Sequence, residues 1–193
     1  GLQMVSSAGF IWLTTSTGVV ATYANTGEIV WSAPLPGGVQ AVLAPVAINS
    51  TTALFVYNRQ AVLNSQTHTL NVATLDTRLT VPTGASRIRM VLSLEHSGIG
   101  DEDLSQPPVV TDYGLALIVS DGLIAVDLST GALAWRYDDG SCSRVTVSGR
   151  FAVASCSVIA TIDVVTGAVQ AITGVFIIAG DTSFKQLAVR PAG

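Results

Sequence analysis

One phrase recurs along this chain and restricts what the chain can become: a short apolar run, a turn closing on Thr-Gly, and a second apolar run ending near a tryptophan. Its clearest copy is residues 122–135, GLIAVDLSTGALAW. Residues 123–126 and 132–135 are rich in strand formers, with Asp127-Leu128-Ser129-Thr130-Gly131 between them. An Asp carboxylate can accept from backbone N–H groups two residues on, and glycine adopts φ > 0 without a Cβ clash. The phrase reads as a β-hairpin built on a type I turn with a bulge.

Three weaker copies follow the same plan. Residues 18–31 (GVVATYANTGEIVW) carry Asn25-Thr26-Gly27 and end on Trp31; Gly27 to Gly131 and Trp31 to Trp135 are both 104 positions apart. Residues 158–171 (VIATIDVVTGAVQA) place Asp163 and Gly167 in register with Asp127 and Gly131, with Ala171 at the Trp position. The remaining copy, residues 60–72, keeps Thr67 but has His68 where the others have Gly. Counted at 27, 68, 131 and 167, the offsets are 41, 63 and 36 residues. Two lie near a propeller blade's period of about 40, and the third reads as one period plus an insertion over residues 80–106.

Another strand pair precedes each hairpin: residues 2–6 with 10–15, 42–48 with 53–57, 108–111 with 115–120, and 144–147 with 151–155. Each unit is thus four short antiparallel strands joined by tight turns, and helical periodicity is missing almost everywhere. Four-stranded units at this pitch predict an all-β fold, a β-propeller of about four to five blades. The expected organisation is one domain over 1–193, with repeats near 1–36, 40–78, 107–138 and 142–174. Residues 175–179 and 186–190 are candidate strands of a fifth blade, completed by residues 88–94 of the insertion. A small closed ring and a part of a larger one both stay open.

Composition agrees with buried sheets. Charged residues are 11% of the chain, against roughly 25% for an ordinary soluble domain. Mean hydropathy is +0.53, yet the longest apolar runs, 115–119 and 175–179, are strand-sized, whereas a membrane-spanning helix needs about 20 residues. The net charge of −4, with eight Arg, one Lys and no basic cluster, argues against nucleic acid as a partner. The sequence opens directly on Gly1, and a piece of a longer protein with its targeting segment upstream is the expectation.

The pattern A-x-D-x-x-T-G-x-x-x-W, present as Ala125, Asp127, Thr130, Gly131 and Trp135, resembles the blade motif of the PQQ-like (quinoprotein-type) propeller family. Ala21, Thr26, Gly27 and Trp31 match it with Tyr23 in the Asp place. The resemblance covers most of the chain outside residues 80–106 and the tail after 175, and implies that the motif tryptophans pack between neighbouring blades. Propellers of this family usually have seven or eight blades, more than 193 residues supply. Its enzymes hold PQQ on the axis of a complete ring, with an adjacent Cys-Cys pair, a Trp floor and Ca²⁺ ligands. Cys142 and Cys156 are not adjacent, so no cofactor is expected.

The two cysteines fit a different role. Pairing Val147 with Phe151 in a hairpin brings Cys142 opposite Cys156, and a disulfide there would place the protein in an oxidising, extracytoplasmic compartment. Two buried free thiols are the alternative.

Candidate chemistry is sparse. Trp12 stands where a one-residue-tolerant alignment puts Ala53, Ala116 and Ala152 in the other copies. It either fills a wider gap between blades or offers an aromatic platform to a ligand. His96, Asp101, Glu102 and Asp103 concentrate charge in residues 95–103, which reads first as a solvated loop and otherwise as a partner contact; the spacing is not that of an EF-hand loop, and no metal is expected there. His68 and His96 are the only histidines, which excludes a His-rich zinc site, and His68 reads as a tolerated turn residue. G-x-S-x-G, G-x-G-x-x-G and the P-loop pattern are all missing. Asp127 and Asp163 share one place in the repeat, so they form turns rather than a catalytic pair.

The reading that follows is a non-catalytic, extracytoplasmic binding, scaffold or sensor propeller with a protein partner. A quinoprotein remnant, or a lyase or hydrolase working in the axial channel, is the enzymatic alternative. A half-ring completed by self-association as a homo-oligomer is the structural one.

Overall fold

The computed structural model describes residues 3–7, 10–15, 17–35, 39–60, 67–78, 86–97, 104, 106–120, 122–138 and 142–173. Those residues contain no helix and form four antiparallel sheets. The first is β1 (Gln3–Ser7), β2 (Phe10–Thr14), β3 (Gly18–Tyr23) and β4 (Ile29–Pro34), in that spatial order. In the second, β5 (Val39–Val42) and β6 (Val46–Asn49) both pair with β7 (Thr52–Gln60), followed by β8 (Thr67–Asp76) and β9 (Ile88–Ser97). The third holds β10 (Val109–Val110), β11 (Leu115–Ser120), β12 (Gly122–Asp127) and β13 (Leu133–Tyr137). The fourth holds β14 (Arg144–Ser148), β15 (Phe151–Ser155), β16 (Ile159–Asp163) and β17 (Val169–Thr173).

Alternation within the strands sends one set of side chains to each neighbouring sheet, so the sheets stack face to face in chain order. Phe10, Trp12, Val19 and Ala21 meet Ala53, Phe55, Ala73 and Leu75 of the second sheet. That sheet's other face, with Leu54, Val56, Leu70 and Val72, meets Ala116, Ile118, Ile124 and Val126 of the third. Leu115, Leu117, Leu123 and Ala125 then meet Val145, Ala152, Ala154, Ala160 and Ile162 of the fourth. The middle strands, buried on both faces, explain how so apolar a chain consists of such short runs.

The turn chemistry is as the residues dictate. Asp127 Oδ1 accepts from Ser129 N at 2.8 Å and Thr130 N at 2.9 Å, and Asp163 Oδ1 accepts from Val165 N and Thr166 N at 3.0 Å. Gly131 and Gly167 adopt φ of 75° and 72°, and a bulge interrupts the ladder beside each turn. Hydrogen bonds from Ser129 Oγ and from the Thr130 and Ser129 N–H groups lower the Asp127 pKa to about 2. Burial raises the Asp163 pKa, but the Thr166 and Val165 N–H groups and Arg150 outweigh it and leave the carboxyl below its ordinary value.

A carboxylate with a depressed folded-state pKa contributes stability that is complete above its unfolded value, about 3.9, and is lost as pH falls through the folded one. Urea midpoints measured from pH 5 to pH 2 should therefore fall steeply below about pH 4. Asp127→Asn should lower the midpoints above about pH 4, flatten that fall and converge with the wild type at the acid end. A variant with the wild-type acid slope would show that the turn carboxylate is not stabilising.

The second repeat differs from its sequence reading. Thr77 N donates to Thr51 O (2.8 Å), just as Leu128 N donates to Gly114 O and Val164 N to Arg150 O. Asp76 therefore holds the place of Asp127 and Asp163, and the hairpin of this repeat is β8–β9, not residues 60–72. His68 lies within β8 rather than in a turn. Residues 88–97, expected in an insertion and as a supplement to a fifth blade, are the outer strand of this sheet. Residues 77–87 separate β8 from β9, where residues 128–132 separate β12 from β13, and the longer connection hides the Thr-Gly period. The proposed strands at 175–179 and 186–190 lie outside the described residues.

Two registers shift by one residue. Trp12 pairs with Ala21 as Leu117 pairs with Ala125 and Val153 with Thr161. Ala53, Ala116 and Ala152 thus align with Ile11, on the opposite face, because a one-residue slip flips every side chain. In the fourth sheet Ser148, not Val147, pairs with Phe151, yet Cys142 and Cys156 still form a disulfide.

Candidate functional site

The motif tryptophans lie between sheets. Trp135 on β13 packs against the turn of the fourth sheet, where a Cβ on Gly167 would come within 2.6 Å of its Cγ, and its Nε1 donates to Val164 O at 2.8 Å. Gly131 receives Val91 of β9 in the same way: a Cβ there would lie 2.7 Å from Val91 Cγ1. An outer-strand side chain of one sheet therefore seats on the turn glycine of the next. At the first turn, no described residue lies within 4 Å of a Cβ built on Gly27.

Trp31 meets a different neighbour. The long β8–β9 loop brings Arg87 over its indole, with Cζ 5.4 Å from the ring centroid, a cation–π contact. Arg87 Nη1 also donates to the carbonyls of Asp76 (3.2 Å) and Arg78, while Arg78 forms an ion pair with Asp76. The Arg78 side chain holds the Asp76 carboxyl below its ordinary pKa despite some burial. Arg78 and Arg87 thereby border the outer strand of the first sheet beside Ile29, Val30 and Trp31.

The result is a cleft of about 360 Å³. Phe10, Trp12, Tyr23 and Trp31 supply aromatic surface, and Glu28, Arg78 and Arg87 supply charge. The rings form a connected cluster, with centroids 5.3 Å apart for Phe10–Tyr23, 6.4 Å for Phe10–Trp12 and 6.0 Å for Trp12–Trp31. Trp12 is only 2% exposed, and its Nε1 has no hydrogen-bond partner among the described residues. An unmet buried donor of this kind costs about 1–3 kcal/mol. At the rim, Ile29 is 64% exposed. Aromatic faces and a guanidinium-lined edge suit recognition of an apolar group that carries a hydrogen-bond acceptor.

Of the residues singled out from sequence, Trp12 and Trp31 meet in this cleft. Gly27, Asp127, Gly131, Trp135, Asp163 and Gly167 occupy turn and inter-sheet positions. His96 lies on β9 at the far end of the second sheet. Asp101, Glu102 and Asp103 lie outside the described residues. Arg78 and Arg87 are not among the sequence candidates, and Tyr23 figures there only as the residue in the Asp place. The usable signal for Tyr23 was its place: it pairs with Phe10 as Asp127 pairs with Leu115, so a tyrosine stands where the repeat wants a turn carboxylate. Among the described residues, no group of three His, Cys, Asp or Glu comes together to hold a metal ion, and no helix is long and apolar enough to cross a membrane.

No family model matches the sequence, and no curated protein matches it. Solved structures do. BamB from Moraxella catarrhalis is 20% identical, with a TM-score of 0.58 over 88% of this chain and 47% of its own. A europium-containing methanol dehydrogenase is 14% identical, with a TM-score of 0.62 over 89% of this chain and 41% of its own. The Neurospora crassa Pan2 WD40 domain is 10% identical, with a TM-score of 0.54 over 88% of this chain and 50% of its own. The fold is a β-propeller. Each sheet is accordingly a blade, and the chain spans half or less of the length of these structures. At such identities the likeness establishes the fold alone.

Proposed function

We propose that the chain is a non-catalytic, extracytoplasmic binding or scaffold propeller, and that the cleft between its first two blades receives a protein partner. The observation that carries this reading is a cleft walled by Phe10, Trp12, Tyr23 and Trp31, edged by Arg78 and Arg87 and rimmed by exposed Ile29. An inserted apolar side chain with a neighbouring peptide carbonyl matches that chemistry, since aromatic residues and arginine dominate interface hot spots. The Cys142–Cys156 disulfide supports an oxidising compartment.

The unfilled turn at Gly27 favours a second reading, a half-ring completed by another copy of the chain. At the two inter-blade turns described, a side chain of the preceding blade occupies this position, and structural neighbours about twice as long match the whole four-blade stack.

A photo-crosslinking residue at Tyr23, beside both the cleft and the Gly27 turn, distinguishes the two. Expected is an adduct of foreign mass in the native compartment, absent when the probe is moved to Gln170 and suppressed by Trp31→Ala. An adduct at twice the chain mass would replace the partner reading with the half-ring. Absence of any adduct, or one indifferent to Trp31, would overturn the assignment of the cleft.

A further inference from the structure

The sequence holds five asparagines, and only Asn49 is followed by a residue other than proline and then by a hydroxyl-bearing one: Asn49-Ser50-Thr51. That tripeptide is the pattern through which secreted proteins accept N-linked sugar. It occupies the turn between β6 and β7, where Asn49 pairs with Thr52, and all three residues are exposed. Thr51 O accepts from Thr77 N at 2.8 Å, as Gly114 O accepts from Leu128 N and Arg150 O from Val164 N. The tripeptide therefore lies at the end of its blade, where a bulky substituent extends into solvent instead of between sheets.

We infer that Asn49 is an N-glycosylation site, an inference that rests on the extracytoplasmic reading above, since N-linked transfer belongs to the same compartments as disulfide formation. The side chains are placed for it. Thr51 N and Thr51 Oγ1 both donate to Asn49 Oδ1, at 2.9 and 3.0 Å. A backbone N–H can only donate, so the carboxamide oxygen is fixed on the Thr51 side and Nδ2 takes the other branch. In the transfer, Nδ2 attacks the anomeric carbon of an oligosaccharide carried on a polyisoprenoid pyrophosphate. The N–C bond forms, the C–O bond to the pyrophosphate breaks, and the lipid pyrophosphate leaves with the electron pair. Nδ2 gives up one of its two protons to a base of the transferase. The product keeps Oδ1 as an acceptor, so the Asx-type turn and an attached glycan are compatible.

The other described asparagines supply the contrast. Asn25 is also exposed in a turn, but Gly27 stands two residues on and offers no hydroxyl. Asn58 and Asn71 are buried, at 2% and 5% exposure, and neither begins such a tripeptide. A glycan also suits a chain in which only 11% of residues are charged, because it adds hydrated surface away from the blade interfaces.

The test is mass mapping of the full chain isolated from its own organism, before and after peptide N-glycosidase in heavy-oxygen water. Expected is loss of whole hexose and N-acetylhexosamine units, with the heavy label entering at position 49 and Asn25 untouched. In the same organism, Thr51→Ala should abolish the glycan and Thr51→Ser should keep it. A bare Asn49, sugar at Asn25, or a glycan retained in Thr51→Ala would each overturn the site. Alkylation of the same sample without reductant separates this failure from that of the compartment. A bare Asn49 beside bonded Cys142 and Cys156 overturns the site alone; a bare Asn49 beside two alkylated cysteines overturns the extracytoplasmic reading with it. The mapping is read on the wild-type chain, so it decides the matter even if a variant fails to fold.

Discussion

Trp135→Ala should lower the unfolding free energy by about 3 kcal/mol, the lower end of the range for tryptophan truncation because the ring is half-buried. The truncation removes the indole from the interface of the third and fourth blades and leaves Val164 O without its donor. Glycine variants isolate the docking from the turn. Gly27 and Gly167 have φ of 73° and 72°, so an alanine at either pays the same left-handed cost, about 1–2 kcal/mol. Only at Gly167 would the new Cβ fall 2.6 Å from Trp135 Cγ and 2.9 Å from two more ring-side atoms. Gly167→Ala should therefore cost about 1–3 kcal/mol more than Gly27→Ala, the usual range for overpacking. In the Trp135→Ala background that difference should vanish. Urea unfolding of six proteins, each background alone and with either alanine, measures it, and equal costs at the two glycines would refute the seating of tryptophan on glycine.

That contrast also marks what the sequence could reveal. Asp127, Gly131, Asp163 and Gly167 were legible because turn geometry is local: one side chain bonds the next two amides, and one residue must reach positive φ. The second blade was not. Its Asp76 has the same partnerships, but the loop to Arg87 is long enough to hide the period, and a search that demands a fixed Thr-Gly step settles one strand too early. Trp12 shows a related limit. Apolar strands buried on both faces carry no alternation to fix the face, so a one-residue error passed unnoticed and turned a next-blade residue into a previous-blade one. The cleft was illegible for a further reason, since Arg78 and Arg87 come from a loop distant in sequence from Trp12 and Trp31. Only packing brings them together.

Removing the disulfide should have an effect as large as losing the tryptophan, but confined to one end of the stack. Cys142 and Cys156 are 14 residues apart, and closing a loop of that size stabilises by about 3 kcal/mol when the unfolded chain alone is considered. The bond ties the start of β14 to the end of β15, beyond the last ladder pair Arg144–Ser155, so it clamps the hairpin where fraying would begin. Cys142 is 5% exposed and belongs to the core shared by the third and fourth blades. Alanine is therefore the right replacement, since serine would add an unmet buried hydroxyl and confuse the result. Cys142→Ala/Cys156→Ala should unfold at lower urea by an amount equivalent to about 3 kcal/mol. Its amide-exchange protection should fall across β14–β16 while β2, β3, β7 and β8 keep theirs. Reductant should reproduce the shift in the wild-type chain and leave the double variant unaffected. If reductant moves neither, the cysteines are not bonded in solution, and the oxidising compartment loses the residue pair that argues for it.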